Sequence, residues 1–275
     1  SQSGEFSGSV FAFYPDYVSL TQAFSTITPT WNHLWYLAYL LVYILLVLAF
    51  LPWLRCVPES RVWQAASAQP LVIVFVLILP FVVTETWLSP VFPTTHDLVN
   101  DWANHAHRFM IFLIGFFAAK DERFWSSVDR AWKFAPILAI IAWIVLQNGQ
   151  EVSDWTGQFL SGTSQRFLFS YMAILYAWSC MLTLLGFGQR FLNRKSLLLR
   201  YLTGAIFCYY VLHQTITVVA GYYLTECRLG VAVESALVLG VTVAGCVLGY
   251  ELIRRTPKVG ILFGVHDVSG YRSGR

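Results

Sequence analysis

Charge is what this chain has least of. Only 12% of its 275 residues are Asp, Glu, Lys or Arg, about half the share of a soluble domain, near 25%. With 57% hydrophobic residues and a mean hydropathy of +0.58, that deficit excludes an ordinary soluble domain and points to a polytopic membrane protein. Cysteine is sparse as well. Cys56, Cys180, Cys208, Cys227 and Cys246 are scattered, and no C-x-x-C occurs. Neither a zinc site, nor any other metal site, nor a disulfide framework is expected. The chain also lacks G-x-x-x-x-G-K-[ST], G-x-G-x-x-G and G-x-S-x-G, so nucleotide hydrolysis, dinucleotide binding and serine hydrolysis have no motif to rest on. No internal repeat or low-complexity run stands out.

Apolar length is abundant. A helix needs ~20 apolar residues to cross the hydrocarbon core. Seven segments approach that: Leu34–Leu54, Pro70–Trp87, Asn104–Ala119, Ala131–Leu146, Phe167–Gly186, Leu202–Leu224 and Val231–Ile253. The third and fourth are short. Pro80 is expected to kink the second, having no amide hydrogen to donate. Eleven Trp and fourteen Tyr suit membrane interfaces. The expected fold class is an all-α polytopic membrane protein with about seven transmembrane helices over 34–253. It is flanked by an external stretch, 1–33, and a basic cytoplasmic tail, 254–275.

The few charges alternate. Arg55 and Arg61 follow the first span. Lys120, Arg123, Arg130 and Lys133 follow the third; Arg190, Arg194, Lys195 and Arg200 follow the fifth. Arg254, Arg255, Lys258, Arg272 and Arg275 lie in the tail. Only Arg108, Arg166 and Arg228 fall elsewhere. Glu5, Asp16, Asp97, Asp101, Glu151, Asp154 and Glu226 group on the opposite side. The positive-inside rule then puts the tail in the cytoplasm and the N-terminal stretch outside. Basic residues so placed meet lipid headgroups and cytosol, so nucleic acid is not an expected partner. Ser1–His33 has no signal-peptide pattern. An external start is then expected to mean an odd number of spans upstream, with this chain the C-terminal part of a longer protein. A complete seven-helix protein inserted N-terminus out is the competing reading.

Polar groups inside apolar spans are costly and therefore suggest function. His213 and Gln214 lie near the middle of the sixth span, His213 ~16 Å from its cytoplasmic end at 1.5 Å per residue. His213 either lines a polar cavity or joins a packing network with Gln214, Thr215 and Thr217. At the third span, Asp101, His105 and Arg108 recur at i, i+4 and i+7 and share one helix face, with His107 off it. A carboxylate orienting a histidine is an acid/base device; an outward salt-bridge ladder is the plainer alternative. With His33, Glu85, His96 and Asp97, these residues are expected to form an acidic, imidazole-rich vestibule fit for a hydroxylated acceptor. Glu251, near the cytoplasmic interface, is expected either to snorkel or to pair with Arg254 or Arg255. Arg190, Arg194, Lys195 and Arg200, with no acid among them, suit either topology alone or the phosphates of a cytoplasmic donor.

Several motifs carry a family resemblance. Ser196-Leu197-Leu198-Leu199-Arg200-Tyr201-Leu202, running into Tyr209-Tyr210-Val211-Leu212-His213-Gln214-Thr215, resembles the late-helix signature of the membrane acyltransferase 3 family. His33-Leu34-Trp35-Tyr36-Leu37 and Phe112-Leu113-Ile114-Gly115-Phe116 are similar to two earlier family helices. Tyr250-Glu251-Leu252-Ile253-Arg254-Arg255 with Leu262-Phe263-Gly264 resembles the closing motif of its glucan biosynthesis protein C-like branch.

The resemblance implies a ten-helix protein of the bacterial inner membrane with its C-terminus cytoplasmic. It implies acyl transfer from a cytoplasmic donor, acyl-CoA as co-substrate without a tightly bound cofactor, to a hydroxyl of a carbohydrate or similar acceptor. On that implication His213 supports catalysis, while Asp101, His105, Arg108 and Gln214 bind the acceptor. Arg190, Arg194 and Arg200 hold the donor's phosphates. The family's catalytic histidine follows an arginine by about ten residues in its first helix. No span here opens on such a pair, so that helix is expected upstream. A proton-coupled transporter with a midplane histidine is the alternative function, and a seven-helix receptor a third.

Overall fold

A computed structural model describes residues 32–96 and 98–265, together with Pro15. The expectations for the stretch 1–31 with Glu5 and Asp16, for Asp97, and for Arg272 and Arg275 of the tail lie outside the described residues. Every regular element among the described residues is helical. The chain divides into two units, 1–192 and 193–275.

In the first unit, α1 (Trp35–Leu54), α2 (Arg61–Ala68), α3 (Pro70–Phe75) and α4 (Leu79–Val83) are followed by α5 (Trp102–Ala118), α6 (Glu122–Ala131) and α7 (Ala135–Gln147). Then come α8 (Gly149–Thr156) and α9 (Gly162–Phe187). Polar side chains start several helices by accepting a first-turn amide: Ser60 from Trp63, Asp121 from Arg123 and Ser161 from Ser164. Such caps satisfy donors that the helix itself leaves open.

Pro80 does more than kink the second apolar segment. Residues 76–78 are a turn, Pro80 sits in the first turn of α4, and the run continues as a π-turn over Thr84–Leu88. A missing amide is tolerated there because the first turn has no partner for it.

Ile73, Val74, Ile78 and Val82 meet Val128, Ala131, Ala135 and Leu182 in the buried core of this unit. The Trp178 indole donates to the carbonyl of Ile73 at 3.0 Å, tying α9 to α3. Ala135, Ala139 and Ala142 are the buried residues of α7, which packs along α9; small side chains allow such close approach. Gly186 of α9 sits against the Trp132 side chain, where a Cβ would overlap it. Outward-facing positions are apolar: Leu41, Leu45 and Leu48 on α1, and Ile137, Ile140 and Ile144 on α7. An apolar exterior over apolar helices suits a lipid solvent.

The second unit is a hairpin of α10 (Leu197–Thr225) and α11 (Val231–Ile253), closed by α12 (Pro257–Leu262). Ser196, the first residue of the late-helix motif, caps α10 by accepting from Leu199 N. Gly249 lies against Leu212 and Gly245 against Ile216. Glycine at both places lets the helices approach, and Thr217 and Thr242 hydrogen-bond between them at 3.0 Å. Glu251 pairs with Arg254 at 2.6 Å and accepts from the Tyr201 hydroxyl at 3.0 Å.

Five helical runs are long and apolar enough to cross a membrane: Trp35–Leu54, Pro70–Leu88, Gly162–Leu192, Leu197–Thr225 and Val231–Ile253. A sixth arises if α7 and α8, bent by 78°, count as one. At 17 residues α5 is shorter than those five. The protein is a multi-pass membrane protein, and this measure of length and composition does not reach the expected seven spans.

Candidate functional site

The polar face expected on the third span exists, with different pairings. Asp101 immediately precedes α5, and Asn104, His105 and Arg108 follow it at helical spacing. Tyr39 and Tyr43, themselves i and i+4 on α1, are both buried. The Tyr39 hydroxyl donates to Asp101 Oδ2 at 2.7 Å, and Asn104 Nδ2 donates to the same oxygen at 2.8 Å. The backbone amides of Thr95 and His96 complete the shell, each at 3.2 Å. Asp101 is fully buried. A buried carboxylate is tolerated only with such a complement of donors. Burial pushes its pKa up, but the bonds from Tyr39, Asn104, Thr95 and His96 outweigh this and hold it below the ordinary value.

Asp101 therefore does not orient His105 by a side-chain bond. Its two oxygens point to Tyr39, Asn104 and the 95–96 backbone, and the imidazole is held elsewhere. His105 Nε2 lies 2.9 Å from the carbonyl oxygen of Leu98, and Nδ1 lies 3.0 Å from the Tyr43 hydroxyl. A carbonyl can only accept, so Nε2 carries a hydrogen and the lone pair of the neutral ring is on Nδ1, facing Tyr43. The ring also stacks on Tyr39, with centroids 4.1 Å apart and planes at 22°. His96 joins the cluster through a backbone held at φ 57°, its ring 4.4 Å from that of Trp35. A non-glycine residue in this region is uncommon, and the hydrogen bond that the His96 amide donates to Asp101 helps to hold it there.

Arg108 donates from Nε to Asn104 Oδ1 at 3.1 Å, and its guanidinium lies 5.8 Å from the centre of the Trp35 ring. It forms no carboxylate ion pair among the described residues. The outward salt-bridge ladder is thus not what this face forms. Glu85 instead lies 3.9 Å from His107 and accepts from Ser89 at 2.9 Å. Beside the cluster is a cavity of about 650 Å³, lined by Leu46, Leu88, Trp102 and Phe109, with Tyr43 and His105 supplying polar groups.

His213 is half-buried on α10. Its Nδ1 lies 2.7 Å from the Tyr210 carbonyl oxygen and 3.1 Å from that of Tyr209. Nδ1 thus carries the hydrogen, and Nε2 is the lone-pair nitrogen of the neutral ring. Gln214 follows it, half-buried. The basic stretch divides between the two units. Arg190, in the first, pairs with Asp129 at 3.4 Å and lies over Trp132. Arg194 and Arg200, in the second, are exposed.

A second buried carboxylate lies beyond the far end of α5. Asp121 accepts from the Trp63 indole at 2.7 Å and from the Arg123 amide and Nε at 3.0 Å each. Burial alone would raise its pKa, yet the Arg123 and Trp63 bonds lower it to about 2. No three His, Cys, Asp or Glu side chains among the described residues converge as a metal site.

Tyr39, Tyr43, Asn104 and Trp35 are absent from the expected site residues. Their signal was available: Tyr39 and Tyr43 share one face of a largely aliphatic helix, and Asn104 sits at i+3 from Asp101. A family model described as an acyltransferase domain matches residues 6–251, which include every helix of this cluster. No curated protein and no solved structure matches the chain.

Proposed function

The chain belongs to the acyltransferase 3 family, and on that premise we propose that it is an integral-membrane O-acyltransferase of the glucan biosynthesis protein C-like branch. It moves an acyl group from acyl-CoA to a hydroxyl of a carbohydrate or similar acceptor, in the bacterial inner membrane with its C-terminus cytoplasmic. The observation that carries the reaction class is the family match over nearly the whole chain. It weighs against the transporter and receptor readings.

In this reading the acceptor hydroxyl attacks the thioester carbonyl. A carbon–oxygen bond forms, the carbon–sulfur bond breaks, and the hydroxyl proton passes through a histidine to the departing thiolate. Positioned proton transfer of this kind contributes roughly 10²–10⁴-fold. His105 suits the acceptor side because its lone-pair nitrogen faces Tyr43 at the edge of an apolar cavity. Arg108, which pairs with no acid among the described residues, supplies donors for the acceptor or for the oxyanion of the tetrahedral intermediate. Asp101 acts as a positioning residue, since its carboxylate is enclosed by Tyr39, Asn104 and the 95–96 backbone. His213 and Gln214 form a second, supporting polar pair, and Arg190, Arg194 and Arg200 offer charge to the donor's phosphates.

The test is acyl transfer by the full-length protein in proteoliposomes, with acyl-CoA supplied on one side and a polysaccharide acceptor on the other. Acceptor-bound ester is the expected product. Counterflow of substrate without any acylated product would overturn the reading in favour of transport.

A further inference from the structure

Helices α1 and α5 border a second cavity at the ends away from His105. It holds about 780 Å³, and its lining includes Leu54, Arg55, Phe116, Phe117, Lys120 and Arg123. Tyr43 and Leu54 are separated by about 16 Å of helix at 1.5 Å per residue, so the two cavities occupy different levels of the same helix pair.

The charges around this space are unequal in availability. Arg123 is engaged by Asp121, whose carboxylate turns inward to Trp63. Glu122, exposed at the start of α6, adds one acid to the lining. Arg55 and Lys120 form no ion pair with any carboxylate among the described residues. Two exposed cations therefore stand over a floor of Phe116, Phe117 and Leu54. Placing basic residues at helix ends satisfies membrane topology, but does not require a hollow of this size between them. Cations beside a mixed apolar and polar cavity suit a ligand with both a phosphate and an apolar body.

We propose that this cavity is a binding site for a phosphate-bearing ligand, with Arg55 and Lys120 on the phosphate and Phe116 and Phe117 against the apolar part. Identification of that ligand as the coenzyme end of an acyl donor rests on the acyl-transfer reading, and it takes the donor's phosphates to Arg55 and Lys120 rather than to Arg190, Arg194 and Arg200. The site itself rests on the cavity and its charges. A lipid headgroup offers the same phosphate chemistry and is the other source.

The experiment titrates coenzyme A into the full-length protein in nanodiscs of neutral lipid and, separately, in nanodiscs containing phosphatidylglycerol. Saturable binding in neutral nanodiscs is expected. It should weaken about 100-fold in the Arg55→Glu/Lys120→Glu double variant, at roughly tenfold per lost charge-assisted contact. The milder Arg55→Gln/Lys120→Gln variant, with an unchanged Tm and elution profile, guards against misfolding and should show a smaller loss in the same direction. Coenzyme A displaced by phosphatidylglycerol, with tight lipid retention lost in the same variants, supports the site with a lipid headgroup as its source. Undiminished binding of both ligands in both variants overturns the proposal. Arg55- and Lys120-dependent coenzyme A binding without acyl transfer in the wild type leaves the site standing and removes the acyl-transfer reading instead. Acyl transfer with full activity and affinity in both variants does the reverse.

Discussion

The Tyr43 hydroxyl lies 3.0 Å from Nδ1 of His105 while Nε2 of the same ring faces the carbonyl of Leu98. Both nitrogens are thus engaged, and the proton-accepting one faces a hydroxyl on another helix. His105→Gln should lower acyl-transfer turnover by roughly 10²-fold, at the lower end of general acid–base effects. Tyr43→Phe should lower it by about tenfold and alter the pH–rate profile, as its hydroxyl orients the ring and holds a proton beside it. Wild-type turnover in both variants would remove the pair from the mechanism.

His213 is satisfied at Nδ1 by carbonyls of its own helix. As a supporting group, its loss should cost less than the loss of His105. His213→Ala is expected to reduce turnover by about tenfold, with little change in Tm. Unchanged turnover would reduce His213 to a packing residue.

Asp101 serves four donors from three parts of the chain. Asp101→Ala leaves the Tyr39 hydroxyl, the Asn104 amide and two backbone amides without that acceptor. A cost of about 3 kcal/mol is expected, measured as a fall in the denaturant midpoint in detergent. Asp101→Asn keeps the shape but turns one acceptor atom into a donor, and should fall between wild type and Ala. Equal stability of all three would mean that the shell is not structural.

Acid should act through Asp121. Folding lowers its pKa from 3.8 to about 2, so the unfolded chain takes up the proton first as pH falls. The stabilisation is complete above about pH 5 and is lost between roughly pH 4 and pH 2. Asp101 is shifted in the same direction. Thermal unfolding in an acid-stable detergent should show a steeper fall in Tm across that window for the wild type than for Asp121→Asn. The variant should already be less stable at neutral pH.

Among the described glycines of the first unit, Gly186 has the closest neighbour. A Cβ there would overlap Trp132, whereas one at Gly240 meets nothing within 4 Å. Gly186→Ala should destabilise by about 1–3 kcal/mol through overpacking. Gly240→Ala should stay within about 0.5 kcal/mol of wild type. The difference in midpoint between these two variants measures the contact directly.

Much of the helical layout was legible because apolar length is a local property. Val231–Ile253 has the same bounds in sequence and structure, and Pro70–Trp87 differs from the observed run by one residue. The short third and fourth segments were less legible, because a helix end or bend depends on what packs around it. The same distinction holds at the site. Spacing placed Asp101, His105 and Arg108 on one face, but spacing along α5 cannot specify what covers that face. The covering residues, Tyr39 and Tyr43, lie 62 positions from their partners Asp101 and His105. A carboxylate with a choice of acceptorless donors nearby takes those, and the imidazole turns to what remains.

The bend between α7 and α8 has a consequence for the bilayer. Thirteen residues of α7 rise about 20 Å, and α8 departs from that axis by 78°, adding only about 2–3 Å along it. A hydrocarbon core is about 30 Å thick. A crossing made by this pair is therefore too short for an undistorted membrane, a mismatch that local thinning of the bilayer relieves. The protein would then sit in a local dimple, with water and headgroups drawn toward one flank of the first unit. A polar acceptor arriving there would have less oil to traverse than across an undistorted bilayer.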